Sequence, residues 1–477
     1  MNSENKIQSD LDLKTELASI LEEIPSCTAP DFFAESLRRI NLRCFQESIR
    51  CYGTPQYILD TDALIERCRL FVRTIRRRLP DSEFFYAFKC NDLPFIANTV
   101  CHHGFHADVA GLFELQLALQ IGCKRIVFNS PGKTDDELTL AVTHSQRVII
   151  IIDNFDEIDR LKTLCTTMLP ETPVTVGLRL AVGRRTDDAW HKFGFELDDV
   201  PEAIARISES PSLVWRGLHF HSSWNKTPLK YYQTLQTVGR FMERHLPQRI
   251  RLGMEFVDIG GGFYPENQAV IHHCEDKGIL ADMMARRHGG RKHINRMLDH
   301  DPHAFLVTEV DPLETFAETI AEAMDTHIRP LAPNAAVFME PGRFIVAHST
   351  AVLLRVLAVK QDSVIVDGGI NMMGDYKFSE YAFAPVINLR RPSAALHSCT
   401  VYGPLCDPSD LWGYSHYGDP LQRGDAVAVL HQGAYTYSTA WRFIKAIPAY
   451  IAFSGDTVSM IKPAETFEDR YGLRFRD

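Results

Sequence analysis

Eight strand-like runs alternating with helical patterns constrain this chain more than any other feature of its sequence. The runs lie at 84–88, 105–109, 125–129, 148–152, 174–180, 213–221, 256–259 and 336–339. Helix-periodic stretches at 92–103, 112–121, 135–143, 155–164, 200–208, 231–246 and 312–328 separate most of them. Strands and helices alternating over roughly 260 residues specify an α/β fold in which a parallel sheet closes into a (β/α)8 barrel. In that architecture the C-terminal ends of the strands open onto one mouth, where functional residues gather.

Beyond residue 345 the alternation stops. Short β-branched runs at 351–359, 363–366, 426–430 and 449–453, separated by turn signals such as Asp419-Pro420 and Gly424-Asp425, read as a second, antiparallel β domain over 346–477. The barrel is assigned to 51–345, with a short strand at 56–59 expected to join the β domain and an insertion at 265–310. Leu13, Leu17, Ile20, Leu21 and Ile24 share one helical face, and Phe33, Leu37 and Ile40 suggest another. Residues 1–50 therefore read as a helical N-terminal extension.

The 477 residues are 45% hydrophobic and 23% charged, enough for a barrel plus a smaller domain. A net charge of −10 without a dense basic run argues against nucleic acid and anionic membranes as partners and leaves small molecules. The N-terminus has no apolar signal core, and no stretch is apolar for long enough to span a bilayer, so a cytoplasmic location is expected. The 11 cysteines are scattered without a Cys-x-x-Cys pair, as in a protein of reduced thiols.

Lys89 is the single cation at the end of Phe-Phe-Tyr-Ala-Phe (84–88), where the chain runs out into Asn91-Asp92-Leu93-Pro94. An apolar wall disfavours the ammonium form, and a neutral amine condenses with an aldehyde such as that of pyridoxal phosphate. The same residue also fits a strand-end lysine whose stem lies on apolar surface while its amine reaches water. Asp108, Arg179 and His221 stand at the ends of the second, fifth and sixth runs, Gly260-Gly261-Gly262 after the seventh, and Glu340-Pro341-Gly342-Arg343 after the eighth. The glycines either make a tight turn or offer backbone amides that, with Arg343 as a bidentate cation, cradle a phosphate. Glu340 either pairs with Arg343 or faces a pyridinium nitrogen, which a carboxylate keeps protonated. His221 is either a packed core histidine or a flat ring stacked on a cofactor.

Taken together, Tyr-Ala-Phe-Lys-Cys-Asn (86–91), Ala-Asp-Val-Ala (107–110), His-Phe-His (219–221), Asp-Ile-Gly-Gly-Gly-Phe (258–263), Glu-Pro-Gly-Arg (340–343), Gly-Pro-Leu-Cys-Asp (403–407) and Gly-Ala-Tyr-Thr (433–436) resemble a known family. It is that of the fold-type III pyridoxal-phosphate-dependent decarboxylases, which includes ornithine, diaminopimelate and biosynthetic arginine decarboxylases and shares its fold with alanine racemase. The resemblance spans about residues 53–455, with the motifs in order. It implies that Lys89 forms the Schiff base, His221 stacks on the pyridine ring and Glu340 pairs with its nitrogen. It assigns the phosphate to Gly260, Gly261, Gly262, Gly342, Arg343 and Tyr435, with Asp108 and Arg179 as supporting residues. It also implies a homodimer with shared sites, in which Cys406 enters the neighbouring subunit's site and protonates the carbanion left by carbon dioxide. Asp367 and Asp407 fall where the family's ornithine decarboxylases bind the distal amine, beside Cys406 and Tyr435 as substrate-binding residues. Two carboxylates at one site favour a cationic substrate end; each alone is equally a turn aspartate.

The implied activity is decarboxylation of a basic or ω-amino amino acid, ornithine- or lysine-like or a conjugated derivative, releasing carbon dioxide and an amine. Diaminopimelate decarboxylation and amino-acid racemisation are the enzymatic alternatives, and a catalytically silent regulatory relative is the non-enzymatic one. Loss of Lys89 or Cys406 would mark the last, and both are present.

The chain departs from the family in three places. Ser222-Ser223-Trp224 follows His-Phe-His, so Trp224 occupies the place of a phosphate-binding serine and either Ser222 or Ser223 substitutes, or the phosphate is held without that hydroxyl. The stretch 375–381, where diaminopimelate decarboxylases carry an arginine, has Lys377 as its only cation. The insertion holds His272, His273, Cys274, His288 and His293, whose spacing matches no zinc signature, so no metal is expected.

Overall fold

The run Val-Ile-Ile-Ile-Ile (148–152) is buried along its whole length, as a parallel strand covered on both faces must be. It is one of eight parallel barrel strands in a computed structural model that describes residues 37, 40–182, 192–266, 269–270, 306–307, 310–374, 385–408 and 410–472. The expected helix within 10–24, most of the second at 33–40, the His/Cys residues of the insertion and the stretch 375–381 lie outside the described residues.

In chain order, β1 (Gln56–Asp60) precedes β2 (Glu83–Ala87), β3 (His106–Val109), β4 (Ile126–Asn129), β5 (Val148–Ile152), β6 (Val174–Arg179), β7 (Leu213–His219) and β8 (Phe256–Asp258). A two-residue antiparallel pair follows, β9 (Ala269–Val270) with β10 (Leu306–Val307), and then β11 (Ala336–Met339). Strands β2 to β8 and β11 form a closed parallel barrel, with β11 hydrogen-bonded to both β8 and β2. The first barrel strand ends at Ala87, before the expected Phe88, because Phe88–Cys90 turns as a 3-10 helix. The turn continues where Asn91 Oδ1 accepts the Leu93 N–H, a side-chain bond that replaces a ladder bond.

Phe85, Val127, Ile149, Ile151, Phe256 and Phe338 fill the barrel interior. The Phe256 and Phe338 rings stack at 4.6 Å, and a Cβ on Gly177 or Gly217 would come within 2.9 or 2.5 Å of the Phe256 ring. Glycine on β6 and β7 is therefore what admits an aromatic plug below the mouth.

The chain divides into two compact units. One is the barrel, Ala63–Pro265 with Val310–Ala347; the other draws on Met1–Asp62, Glu266–Glu309 and His348–Asp477. The second unit contains β12 (Thr350–Val359), β13 (Ser363–Val366), β14 (Val386–Asn388), β15 (Leu396–Tyr402), β16 (Leu411–Tyr417), β17 (Ala426–Val429), β18 (Ala449–Ser454) and β19 (Thr457–Lys462). With β1 they form a nine-stranded sheet in the order β13-β15-β16-β14-β17-β12-β1-β18-β19. The expected antiparallel sheet is in fact mixed: β1 pairs parallel with β18, β13 with β15 and β14 with β16. Parallel neighbours need long crossovers, which the chain supplies between β1 and β18 by building the whole barrel. Helix Leu42–Tyr52 lays Cys44 and Phe45 on the apolar face of this sheet, against Ile58, Leu353 and Phe453 among others. Among the described residues no helix is long and apolar enough to cross a membrane.

Candidate active site

Strand register assembles a polar ring above the aromatic plug. Ala87 lies beside Asp108, Arg179 beside His219, and His219 and Phe338 both beside Asp258. Lys89 and Glu340 follow directly on β2 and β11, the two strands that close the barrel. Asp108, Arg179, His219, Asp258 and Glu340 are all buried.

Lys89 Nζ donates to Asp108 Oδ2 at 2.9 Å, and its side chain is 37% exposed. The apolar wall expected behind this lysine is thus joined by a carboxylate, whose hydrogen bond holds the amine at the mouth. Asp108 itself is pushed up from the ordinary carboxylate range, first by burial and then by the charge of Glu340, with Lys89 opposing.

Glu340 stands in a buried cluster of side chains. Asn129 Nδ2 donates to Glu340 Oε1 at 3.2 Å and lies 3.0 Å from His219 Nε2, which is 3.4 Å from Glu340 Oε1. Arg179 Nη1 donates to Asn129 Oδ1 at 3.1 Å, and Arg179 Nε lies 4.0 Å from Asp153 Oδ1. Burial raises Glu340 and Asp258 and lowers His219 from their ordinary values. Sequence reading assigned no role to Asn129, His219 or Asp258. The last two sat inside quoted motifs, but only the strand register shows that they meet Glu340.

His221 Nδ1 accepts the Gly261 N–H at 3.2 Å, so the ring proton sits on Nε2, which faces Ser223 Oγ at 3.1 Å. Burial pushes His221 well below the usual histidine range, leaving a flat, neutral imidazole. The Ser222 hydroxyl lies instead against the Asn225 amide, at 3.0 and 3.3 Å. Trp224, in the place of the expected serine, adopts a left-handed backbone with φ of 54°.

The glycine loop serves the protein's own packing more than the expected phosphate cradle. Gly260 N donates to Asp258 Oδ1 at 2.9 Å and Gly261 N to His221, so two of the three amides already have protein acceptors. Gly260 and Gly262 have φ of +68° and +91°, and a Cβ on Gly261 would lie 2.4 Å from the Glu340 carbonyl oxygen. The left-handed backbone at Gly260 and Gly262 is the kind that glycine adopts without strain. Tyr231, fully buried on helix Leu229–His245, donates its hydroxyl to Gly261 O at 2.6 Å. Tyr231→Phe is expected to cost about 1 kcal/mol of stability, measured as a lower urea midpoint at unchanged slope. Gly342 is required where a Cβ would come within 2.9 Å of Cys90 Cβ. Arg343 opens the short helix Arg343–Val346, half-buried, with its guanidinium 5.9 Å from the Tyr264 ring.

The remaining expected residues belong to the sheet unit. Cys406 is exposed and Asp407 half-buried in the turn after β15. Tyr435 is half-buried with φ of 56°. Asp367, expected beside the distal amine with Asp407, makes two hydrogen bonds within the sheet unit. Its Oδ2 accepts from Thr54 Oγ1 at 2.6 Å and its Oδ1 from Arg355 N at 2.8 Å, so both oxygens tie strands of the sheet together. The carboxylate behind the Cys406 turn is Asp410, which accepts from Leu405 N at 2.6 Å and from Ile370 N at 2.8 Å.

The barrel residues fit pyridoxal phosphate. An amine sits at the mouth, a buried carboxylate suits a protonated ring nitrogen, a neutral imidazole suits the ring face, and a guanidinium suits a phosphate.

Residues 64–293 match the family model described as "Pyridoxal-dependent decarboxylase, pyridoxal binding domain", and residues 305–433 match "Pyridoxal-dependent decarboxylase, C-terminal sheet domain". Diaminopimelate decarboxylase of Archaeoglobus fulgidus is 24% identical over 441 residues, covering 89% of this chain and 93% of that protein. Lysine/ornithine decarboxylase of Selenomonas ruminantium is 24% identical, covering 82% and 87%. Among solved structures, diaminopimelate decarboxylase from Helicobacter pylori complexed with L-lysine superposes with a TM-score of 0.72 at 23% identity, covering 89% of this chain and 98% of that one.

Proposed function

Because the chain belongs to the pyridoxal-dependent decarboxylases, with both domains of that family in order along it, we propose that it decarboxylates an amino acid bearing a distal amine, of the lysine or ornithine kind. It is a carboxy-lyase of the diaminopimelate, lysine and ornithine decarboxylase type, and its cofactor is pyridoxal phosphate. The observation that carries the site reading is the pair of ionisable groups on the closing strands, Lys89 against Asp108 and Glu340 inside its polar cluster.

When bound, pyridoxal phosphate supplies an aldehyde that captures amines and a protonated ring that draws electrons from Cα. In this reading the Lys89 amine would hold that aldehyde, and Asp108, 2.9 Å away, would keep the amine in place and serve as its proton partner. Glu340 keeps the ring nitrogen protonated, and the neutral His221 ring covers one face without adding charge. Arg343, Gly262 and Gly342 hold the phosphate, with Ser223 and Tyr435 as hydroxyl donors and Arg179 as the cation behind Glu340. The thiol of Cys406 delivers a proton to Cα after carbon dioxide departs, and Asp407 reads the distal ammonium. The protein acts as a homodimer in which Cys406 and Asp407 of one copy serve the Lys89 site of the other. Support for this arrangement is the exposure of Cys406 in a turn tied down by Asp410, together with the family resemblance of that turn.

Carbon dioxide release from L- and D-ornithine, lysine, arginine and diaminopimelate tests the reading. Release from L-lysine or L-ornithine is expected, and Asp407→Asn should raise KM for that substrate roughly tenfold, since a hydrogen bond to a charged group is lost. Diaminopimelate is the second reading, favoured by the names of most of the similar relatives. Release from diaminopimelate alone, with lysine and ornithine inert, would establish it instead.

A further inference from the structure

Asp258 and Glu340 come together in the buried polar cluster, and the atoms around them decide their charge. The ligand atoms of Asp258, Glu340 and His219 all lie within 4.8 Å of one another, and all three side chains are buried. Asp258 Oδ1 accepts the Gly260 N–H, but Asp258 Oδ2 is buried with no hydrogen-bond partner among the described residues. A buried polar atom left in that condition needs an explanation.

A protonated histidine would be the simplest, and the geometry rules it out. Arginine only donates, so Arg179 Nη1 on Asn129 Oδ1 fixes which end of the amide is oxygen. Asn129 Nδ2 then points at His219 Nε2 from 3.0 Å. Two donors cannot face each other, so Nε2 is the acceptor and His219 is a neutral imidazole with its proton on Nδ1, which is itself buried without a hydrogen-bond partner among the described residues. That lone pair is also the one a metal ion held through Nε2 would need. Lys89 lies 2.9 Å from Asp108 and Arg179 4.0 Å from Asp153, and both cations favour the anion on Glu340. Two buried carboxylates this close oppose each other's charge, so with the anion favoured on Glu340 the proton falls to Asp258.

We infer that Asp258 and Glu340 hold one proton between them, resident on Asp258 Oδ2 and donated to Glu340, so that the pair presents a single carboxylate to the cofactor ring. Asp258 is then a positioning residue. Its O–H orients Glu340 while its other oxygen holds the Gly260 turn, linking the ring nitrogen's partner to the glycine loop. The upward displacement of both acids by burial agrees in direction. This deepens the assignment of Glu340 made under Proposed function and rests on it.

Infrared difference spectroscopy on the full-length protein, freed of cofactor, reads the proton directly. At neutral pH the wild type is expected to show a protonated-carboxyl C=O band that disappears in Asp258→Asn and in Glu340→Gln, since either change lets the remaining acid ionise. Buried Asp108 and Glu114 are also raised, to about 7, and can add bands of their own, so the reading is the intensity lost on substitution. A wild type with no such band, or a band undiminished by both substitutions, overturns the shared proton. Residence is read from pyridoxal phosphate titrations followed by absorbance. A side-chain amide can donate where the acid did, so Asp258→Asn should keep cofactor affinity within roughly a factor of three, whereas Asp258→Ala should lose about tenfold or more. Should Glu340→Gln be the harmless change and Asp258→Asn the damaging one, the proton belongs to Glu340. The infrared arm needs neither cofactor nor substrate. Failure of the wild type to bind pyridoxal phosphate would therefore sink the cofactor assignment and leave the proton measurement standing.

Discussion

Lys89→Ala is expected to lower kcat by about a thousandfold or more, because it removes both the amine that holds the cofactor aldehyde and a proton carrier at the same point. The variant should still fold, since the Lys89 side chain is partly exposed and its backbone turn is held by Asn91. Borohydride reduction of the wild-type protein loaded with pyridoxal phosphate, followed by peptide mapping, should place the adduct on the peptide that contains Lys89. An adduct on another lysine, or activity in Lys89→Ala near that of the wild type, would remove Lys89 from the centre of the site.

Mixing two inactive variants should restore activity if the site is shared. Lys89→Ala and Cys406→Ala chains, exchanged at random, give about half mixed dimers, each with one site carrying both defects and one carrying neither. Recovery to about a quarter of wild-type activity is therefore expected from an isologous dimer. If both residues of a site came from one chain, every site would keep a defect and mixing would recover nothing. Subunit exchange is checked separately by native mass spectrometry of isotopically labelled chains. Exchange without recovery would leave the Cys406 turn serving its own chain or none.

The barrel was legible because each of its strands is a short apolar run set between helix-periodic stretches, and that pattern survives small errors in boundaries. Lys89 stood out for a related reason, as a lone cation at the edge of five apolar residues. The sheet was harder to read. Strands such as Leu411–Tyr417, Leu-Trp-Gly-Tyr-Ser-His-Tyr, mix aromatic, polar and glycine positions, and β14 is three residues long. The polar cluster around Glu340 was hidden in another way. Asn129, His219 and Asp258 each end an apolar strand, and their convergence depends on register between strands far apart in sequence. Asp367 was noticed for its place in Val-Asp-Gly-Gly, but its bonds to Thr54 and Arg355 within the sheet unit depend on strand pairing that the sequence does not display.

The pairing of β11 with β2 has a consequence for how the protein matures. These are the last and first strands of the barrel, and they carry Glu340 and Lys89 at their ends. The two halves of the proposed cofactor site therefore become neighbours only when the barrel zips shut, the most non-local step in its assembly and on topological grounds a slow one. A ligand gripping both residues binds the closed ring and not the open one, so mass action makes it a clasp across the seam. Vitamin supply would then bear on how much of this protein survives synthesis as well as on how fast it works.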